Sequence, residues 1–404
     1  MSHVKDYVRL DLGPAGVPTY VRSGRLEILR EVDAIVFDCD GVLIDVRESY
    51  NKAIARTASF IFKLMTGCIL PESAVSDEVL LSFRKTGGFN NDWDLTYSIL
   101  LVLTCEIPLR VRERLLKHLT AANTIVDPYE RLEIVTENVH QEADHEFNMS
   151  ASLDELSVAL IDYSKKLDET GVSSVNTALN SDYDANNISF YQQLKQFFDF
   201  KGNLDSNMVA RIFEEFLCGP ELFTKSYGMK PKFNKKRQGL IDNEHLIITS
   251  ETLSLLSAIL GSSNLGIASG SGADQAKYIL GQLLNSFRSE ALVFRETVEE
   301  AMRGAGEKGV RVNLLKPHPF SLLRAAQALE PFGRLLCVGD SMEDAKMVEK
   351  ALERDDRFSF AAVYSYSAPR DAALGSLLEY GCDWVLPSVN ELPKLLRAAW
   401  RNLT

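Results

Sequence analysis

Two carboxylates, Asp38 and Asp40, directly follow an apolar stretch, and their types and spacing could do chemistry. The preceding residues, 34–37, form a run that is typical of a strand buried on both faces of a sheet. Carboxylates at the end of such a strand leave water at a large cost in free energy unless another group compensates their charge. The pair therefore indicates a bound metal or a catalytic task, and the alternative is a strand that ends in an acidic turn.

Residues 38–45 carry a resemblance to a known family. Their pattern, Asp-x-Asp-Gly-Val-Leu-x-Asp, resembles the first motif of the haloacid dehalogenase (HAD) superfamily of phosphatases and mutases. The resemblance implies that Asp38 attacks phosphorus and that Asp40, two positions on, is the general acid and base. Dehalogenase members of the superfamily lack the second Asp, so its presence here points away from carbon–halogen cleavage.

The second motif of this family is a Ser or Thr at the end of a strand, and residues 265–269 fit it with Ser269 in that place. A hydroxyl and free backbone N–H groups at a helix N-terminus can hold phosphate oxygens. The resemblance therefore implies that Ser269 and Gly270 bind phosphate. Gln275 stands where a dinucleotide-binding fingerprint requires Gly or Ala, which disfavours a nucleotide-cofactor fold.

The third motif is a Lys, and Lys316-Pro-His-Pro319 closely resembles the Lys-Pro-x-Pro form of HAD phosphatases. Prolines before a helix fix the local backbone and so hold the ammonium in one direction. The resemblance implies that Lys316 offsets the charge of the nucleophile and binds the transferring phosphoryl group. The alternative is a surface Lys that precedes a proline-started helix.

The fourth motif is Gly-Asp-Ser-x-x-Asp, which residues 339–344 match with Asp340 and Asp344. One acid at a strand end and one in the first helical turn can converge on one cation. Together with Asp38 and the backbone carbonyl of Asp40 they imply an all-oxygen site suited to Mg²⁺. These acids would repel one another strongly, and one dication plus Lys316 would remove most of that repulsion. The alternative is an N-cap role for Asp340 or Ser341, which does not explain both acids.

The segments that must position these residues follow two patterns. Residues 1–45 and 245–404 alternate strands with helices, which predicts βαβ units and a mainly parallel sheet. Residues 46–244 are mostly helical by their apolar spacing. We predict an α/β fold: a Rossmann-like three-layer core with a parallel sheet, plus a large inserted α-helical cap domain, which is the layout of one HAD subfamily. Residues 126–205 of the cap are acidic and polar, and we expect helices with long, partly mobile connections there.

Substrate specificity would lie in the cap. Residues 87–94 combine glycines, amide donors and an aromatic face, which suits recognition of a polar organic group, and they resemble the phosphoglycolate-phosphatase-like group of the superfamily. The candidate specificity residues are Arg84, Asn90, Asn91 and Trp93. The alternative is a helix–helix turn in which Trp93 and Phe89 belong to the core. Residues 222–237 carry six cations and no acid, either as a solvated basic loop or as an electropositive approach for phosphate esters.

Composition and charge limit the kinds of binding partner that we expect. The net charge is −12, and residues 126–185, with fourteen acids and three bases, account for −11 of it, so no basic surface for nucleic acid is expected. Six scattered cysteines without a Cys-x-x-Cys pair indicate reduced core residues. No signal-peptide pattern and no apolar run of about 18 residues occur, so we expect a cytoplasmic protein without a membrane partner. A monomer or homodimer acting on a small-molecule phosphate ester is expected.

The leading interpretation is a Mg²⁺-dependent phosphatase that hydrolyses a small phosphomonoester through an aspartyl-phosphate intermediate. The first alternative is a sugar-phosphate mutase of the β-phosphoglucomutase type, which shares Asp-x-Asp-Gly-Val and a helical cap. The second alternative is a non-catalytic protein of the HAD fold whose acidic cap binds a partner.

Overall fold

The computed structural model describes residues 6–13, 17–89, 91–141, 153–182, 185–200, 203–367 and 370–401. The chain forms two compact units: Met1–Arg47 together with Asn243–Thr404, and Glu48–Asp242. We call the first the α/β unit and the second the helical unit.

Ten strands occur in the described part of the α/β unit. They are β1 (Tyr7–Leu10), β2 (Thr19–Arg22), β3 (Val32–Phe37), β4 (Ile44–Asp45), β5 (His245–Leu246), β6 (Leu265–Ala268), β7 (Leu292–Val293), β8 (Arg334–Gly339), β9 (Phe358–Val363) and β10 (Trp384–Leu386). Eight of them form one sheet in the order β1-β2-β10-β9-β8-β3-β6-β7, and β4 pairs with β5. Strand pairing is parallel from β10 through to β7, whereas β1 and β2 are antiparallel at one edge.

Sixteen α-helices occur among the described residues. The helical unit holds α1 (Tyr50–Thr66), α2 (Asp77–Arg84), α3 (Asp92–Cys105), α4 (Leu109–Ala122), α5 (Pro128–Gln141), α6 (Leu153–Ser164), α7 (Val172–Asp182), α8 (Ala185–Phe198) and α9 (Met208–Tyr227). The α/β unit holds α10 (Ser250–Leu260), α11 (Ala273–Leu280), α12 (Arg295–Glu307), α13 (Phe320–Leu329), α14 (Met342–Leu352), α15 (Arg370–Tyr380) and α16 (Leu392–Arg401).

Helices cover both faces of the sheet. Successive residues of a strand point to opposite faces, and in β3 each face meets a different core. Ile35 belongs to the cluster that contains Leu256 of α10, whereas Val36 belongs to the cluster that contains Leu322 of α13. The continuous apolar sequence of β3 is explained by this burial on both sides. The predicted three-layer α/β fold with a parallel sheet and a helical insertion is confirmed.

The helical unit has its own core, and α1 contributes several buried side chains to it. Several of the apolar side chains of α1 are buried, with Ile54, Ile61 and Phe62 at 0–1% exposure. The helix ends at Gly67, whose φ of 73° is left-handed, a conformation that glycine adopts without steric cost.

One helix extends further than the sequence pattern indicates. Residues 222–237 read as a loop, but α9 continues to Tyr227 beyond a kink at Gly219, where φ is 70° and Pro220 follows. The helix resumes because Leu222 and Phe223 are buried. Burial of these two side chains outweighs the break that Gly-Pro introduces.

The acidic stretch 126–205 contains helices α5 to α8. Residues 142–152, 183–184 and 201–202 lie outside the described part of the chain, so the mobility predicted for this stretch stays a prediction. All six cysteines are buried and free of disulfides. Across the described ranges, no helix combines the length and apolarity required to cross a membrane.

Candidate active site

Three strand ends meet at one edge of the sheet. Strand β3 lies between β6 and β8, and its last residue, Phe37, is in register with a residue of each neighbour. Asp38, Ser269 and Asp340 each follow directly on one of these three strands. Because the carboxyl ends of parallel strands share one edge of a sheet, the topology places these three residues side by side.

Acidic side chains cluster at this edge. Carboxylate oxygens of Asp38, Asp340 and Asp344 lie within 4.8 Å of one another. The Lys316 ammonium contacts two of these acids, with Nζ 2.8 Å from Asp38 Oδ1 and 2.7 Å from Asp344 Oδ1. Asp344 is fully buried, and the side chains of Lys316 and Asp38 are each 13% exposed. The structure therefore brings together the predicted nucleophile, the predicted lysine and both acids of the fourth motif.

The cluster carries more negative charge than Lys316 can neutralise. Burial raises the pKa of Asp38 against the opposing effect of Lys316, and Asp344 adds to the shift. Burial, Asp344 and Asp38 together raise the pKa of Asp340 well above its usual value. Burial disfavours the ammonium of Lys316, but Asp344 and Asp38 outweigh it and raise the lysine pKa. Three carboxylates thus share one cationic side chain.

Two serines hold the acids of the fourth motif. Ser341 is the N-cap of α14: its Oγ accepts the Asp344 N–H at 3.2 Å and donates to Asp344 Oδ2 at 2.6 Å. Ser367 Oγ donates to Asp340 Oδ2 at 3.0 Å. The N-cap alternative therefore holds for Ser341, while Asp340 faces the acid cluster. Ser367 was missed from sequence, because it comes near Asp340 only through the pairing of β9, which precedes it, with β8.

The predicted general acid, Asp40, is held by a third serine. Ser271 Oγ donates to Asp40 Oδ2 at 2.6 Å, and the Ser271 N–H donates to Ser269 Oγ at 3.1 Å. Ser269 is buried, whereas Gly270 is exposed and has open space around its Cα. One short turn therefore links the predicted phosphate-binding residues to the predicted acid. Ser271 was not singled out from sequence, although it lies in the same Ser-Gly-Ser-Gly run.

Gly41 allows the first and fourth motifs to approach closely. Its φ is +71°, and a Cβ built on it would lie 2.1 Å from Asp340 Oδ2. Any side chain at this position would displace Asp340 or the turn that follows Asp40. The glycine of the first motif is thus explained by close approach as well as by backbone conformation.

A fourth acid, Glu343, lies in the first turn of α14 and was not singled out from sequence. Its Oε1 is buried and has no hydrogen-bond partner among the described residues. Burial and the neighbouring Asp344 raise the pKa of Glu343 to about 7. Buried carboxylate oxygens in native proteins are normally hydrogen-bonded, so this one calls for an explanation.

The donor set fits a hard divalent cation. Asp38, Asp340 and Asp344 offer carboxylate oxygens, the ligands that Mg²⁺ prefers in proteins. The raised pKa values of Asp38 and Asp340 and the unpaired Glu343 oxygen are the pattern that a positive charge at this point would relieve. The role of the Asp40 carbonyl as a ligand stays a prediction.

The predicted specificity residues of the helical unit make internal contacts. Arg84 donates to Asp92 Oδ1 and Asn51 Oδ1, both at 2.9 Å. Asn91 is the N-cap of α3, and its Oδ1 accepts the N–H of Trp93. Asn90 lies outside the described residues.

Two aromatic side chains of the same loop contact the core of the helical unit: Phe89 is buried in it, and Trp93 is half-buried against it. Trp93 Nε1 donates to the buried Glu214 at 3.0 Å, and Phe89 is 0% exposed and packs on Phe83. These contacts are those of the helix–helix turn that was the alternative interpretation. A recognition role for Arg84, Asn91 and Trp93 stays a prediction.

Comparison with known proteins identifies the family. The model of the haloacid dehalogenase-like hydrolases matches residues 32–351, and the chain belongs to this family of hydrolases. No curated protein matches the sequence.

Two solved structures resemble the chain. An X-ray structure from the Northeast Structural Genomics Consortium, target ZR25, shares 16% identity at a TM-score of 0.64 and covers 92% of this chain and 99% of its own. A second is described as phosphatase Tt82 from Thermococcus thioreducens, with 21% identity, a TM-score of 0.46 and coverage of 86% and 99%. The first likeness supports the fold.

Proposed function

We propose that this protein is a Mg²⁺-dependent phosphatase that hydrolyses a small phosphomonoester through an aspartyl-phosphate on Asp38. The observation that carries the proposal is the contact of Lys316 with both Asp38 and Asp344, beside Asp340. Membership of the hydrolase family supports it. The expected ligands of the cation are Asp38, Asp340, Asp344 and the Asp40 carbonyl. When bound there, Mg²⁺ would reduce the repulsion between the carboxylates and the phosphate dianion.

Asp38 is the proposed nucleophile. Lys316 fixes one carboxylate oxygen, Oδ1, at 2.8 Å, which leaves the orientation of the second oxygen defined for attack on phosphorus. Attack forms the Asp38–phosphate bond and breaks the bond between phosphorus and the ester oxygen. Water then cleaves the aspartyl-phosphate and releases inorganic phosphate, so a second half-reaction restores the free carboxylate.

Asp40 is the proposed proton carrier. It would protonate the leaving alkoxide and then take a proton from the attacking water. The hydrogen bond from Ser271 restricts the carboxylate of Asp40 to one orientation. We therefore expect that the proton is delivered from a fixed position two residues from the nucleophile.

Ser269, Gly270 and Lys316 are the proposed phosphate-binding groups. Ser269 follows β6, the strand that pairs with β3, and Gly270 beside it is exposed. Lys316 supplies the positive charge that offsets charge on the transferring oxygens.

We infer that the helical unit, Glu48–Asp242, is the cap that selects the substrate. Arg84, Asn90, Asn91 and Trp93 are the candidate specificity residues, and a small phosphorylated acid such as phosphoglycolate is a reasonable first substrate to try. Arg84 is the best of the four for a test. Its guanidinium is the only cation in the group.

The test is phosphate release from a panel of small phosphate esters, with Mg²⁺ and with EDTA. Asp38→Asn should abolish Mg²⁺-dependent release, and Asp356→Asn, which removes an exposed carboxylate of the same unit, should retain it. Release that persists in Asp38→Asn would disprove the mechanism. If release is absent but a sugar bisphosphate starts isomerisation, the mutase alternative replaces the phosphatase. If neither reaction occurs, the binding-protein alternative replaces it.

A further inference from the structure

Glu343 has a carboxylate oxygen that nothing in the described part of the chain satisfies. Its Oε1 is buried and accepts no hydrogen bond. A carboxylate without a partner in a buried position costs free energy, because it has lost the water that would solvate it. An unsatisfied group of this kind usually marks strain, a catalytic role or a bound ion or water.

The surroundings of Glu343 make its position harder to explain by packing alone. The charged groups that act on it are the acids Asp344 and Asp38 and the lysines Lys316 and Lys346. Lys316 is already shared between Asp38 and Asp344. Ser341, the nearest hydroxyl along the chain, donates to Asp344 instead. Glu343 therefore adds a fourth carboxylate to Asp38, Asp340 and Asp344 around Lys316, and these five groups carry a formal charge of about −3 when all are ionised.

The role of Glu343 differs from that of the three other acids. Asp38, Asp340 and Asp344 have oxygens that all lie within 4.8 Å of one another, and Glu343 does not belong to this set. Mg²⁺ loses its hydration shell reluctantly and usually retains several waters when it binds to protein carboxylates. A carboxylate just outside the direct ligands can accept hydrogen bonds from those waters.

Resting on the function proposed above, we infer that Glu343 is a positioning residue of the cation site, where its carboxylate accepts hydrogen bonds from the hydration shell of bound Mg²⁺. Such a residue adds negative charge to the site and restricts the orientation of the cation's waters. Residues in this outer position commonly change metal affinity by about 10–100-fold when they are replaced.

The experiment measures Mg²⁺ binding without substrate. The full chain is stripped of metal with EDTA, and its melting temperature is followed as Mg²⁺ is added, because a ligand that binds the folded state raises this temperature. Three variants accompany the wild type: Glu343→Gln removes the charge, Glu343→Met removes both oxygens, and Glu353→Gln removes an exposed charge near the end of the same helix.

The expected result is a Mg²⁺ half-saturation point raised about tenfold in both Glu343 variants and unchanged in Glu353→Gln. The inference is wrong if Glu343→Met stays within about twofold of the wild type, a result that would make Glu343 a strained side chain only. If Mg²⁺ leaves the melting temperature of the wild type unchanged at every concentration, the cation site itself fails, and the proposed function fails with it.

Discussion

Lys316 Nζ lies 2.7 Å from Asp344 Oδ1, and Ser341 Oγ donates to the opposite oxygen of the same carboxylate at 2.6 Å. Asp344 is fully buried, so both of its oxygens are held by protein groups in a place that water does not reach. Such a pair costs desolvation energy when it forms, but removal of one partner leaves a buried charge uncompensated. The pair therefore fixes the direction of the Lys316 ammonium toward Asp38.

Replacing Lys316 should cost both stability and activity. In Lys316→Met the carboxylates of Asp38 and Asp344 lose their cation, and we expect the free energy of unfolding in EDTA to fall by about 3 kcal/mol. Phosphate release should be lost as well. Urea unfolding in EDTA measures the first effect, with Lys308→Met, a change at an exposed lysine of the same unit, as the control. Equal stability of the two variants would show that Lys316 does not compensate the acids.

Neutralising either of two aspartates in the first turn of α3 should change the stability of the protein in opposite directions. Burial raises the pKa of Asp94 to about 6, so folding favours its protonated form. The stability that this form contributes is fully present below the unfolded pKa of about 4 and is lost as the pH rises through about 6. Asp94→Asn should therefore stabilise the protein by about 1–2 kcal/mol at about pH 8 and have little effect at about pH 4.

The matched change is Asp92→Asn. Asp92 accepts from Arg84 at 2.9 Å, so its neutralisation should lower stability at about pH 8 by up to about 1 kcal/mol. Urea unfolding of both variants at the two pH values provides the comparison. The same sign for both variants at high pH would contradict the assignment.

Two adjacent glycines of the 85–91 loop should differ in their tolerance of alanine. A Cβ on Gly88 would lie 2.4 Å from the backbone N of Gly171, whereas a Cβ on Gly87 meets nothing closer than 3.9 Å. Gly88→Ala should cost about 3 kcal/mol because backbone must move. Gly87→Ala should cost about 1 kcal/mol, which reflects its φ of +83° alone. Thermal unfolding of the two variants measures the difference, and equal losses would disprove the backbone contact.

Glu215 should be the most sensitive acid of the helical unit. It is fully buried and accepts the N–H groups of Lys232, Phe233 and Asn234 at 2.9, 2.6 and 2.9 Å, together with Arg211 Nε at 3.1 Å. Glu215→Ala would leave these donors unpaired.

We expect that variant to lose about 3–5 kcal/mol of unfolding free energy in a urea titration. Glu221→Ala, at an exposed position of the same helix, should lose less than about 0.5 kcal/mol. A similar small loss in both would mean that the basic stretch 230–237 is not held by Glu215.

Asp38 and Asp340 could be predicted because each follows an apolar strand, and they meet because parallel strands end at one edge. Asp344 follows in the first turn of α14. Lys316 follows no strand, and its prediction depended on the resemblance of residues 316–319 to the Lys-Pro-x-Pro motif. The extra hydroxyl Ser367 could not be predicted, because its contact with Asp340 depends on the adjacency of β8 and β9. Strand order is a property of the folded sheet, and no local pattern encodes it.

The loop of the helical unit shows a second limit of sequence reasoning. The sequence alone does not show whether Phe89 and Trp93 recognise a ligand or belong to the core, because aromatic side chains serve both purposes. Only the burial of Phe89 and the hydrogen bond from Trp93 to Glu214 show what these side chains contact. The buried Glu214 lies in α9, and a charged residue of a helix is normally expected to be exposed.

The long insertion in the α/β unit has a consequence for how the chain is made. Asp33, in β3, is hydrogen-bonded to residues 231 and 301 positions later in the chain. A ribosome therefore completes the whole helical unit before either neighbour of β3 exists. Contacts that span such distances form slowly. During this time β3, the apolar strand that precedes the proposed nucleophile, is unpaired. Nascent chains should be most prone to aggregation in this interval, after the helical unit has folded and before β8 emerges.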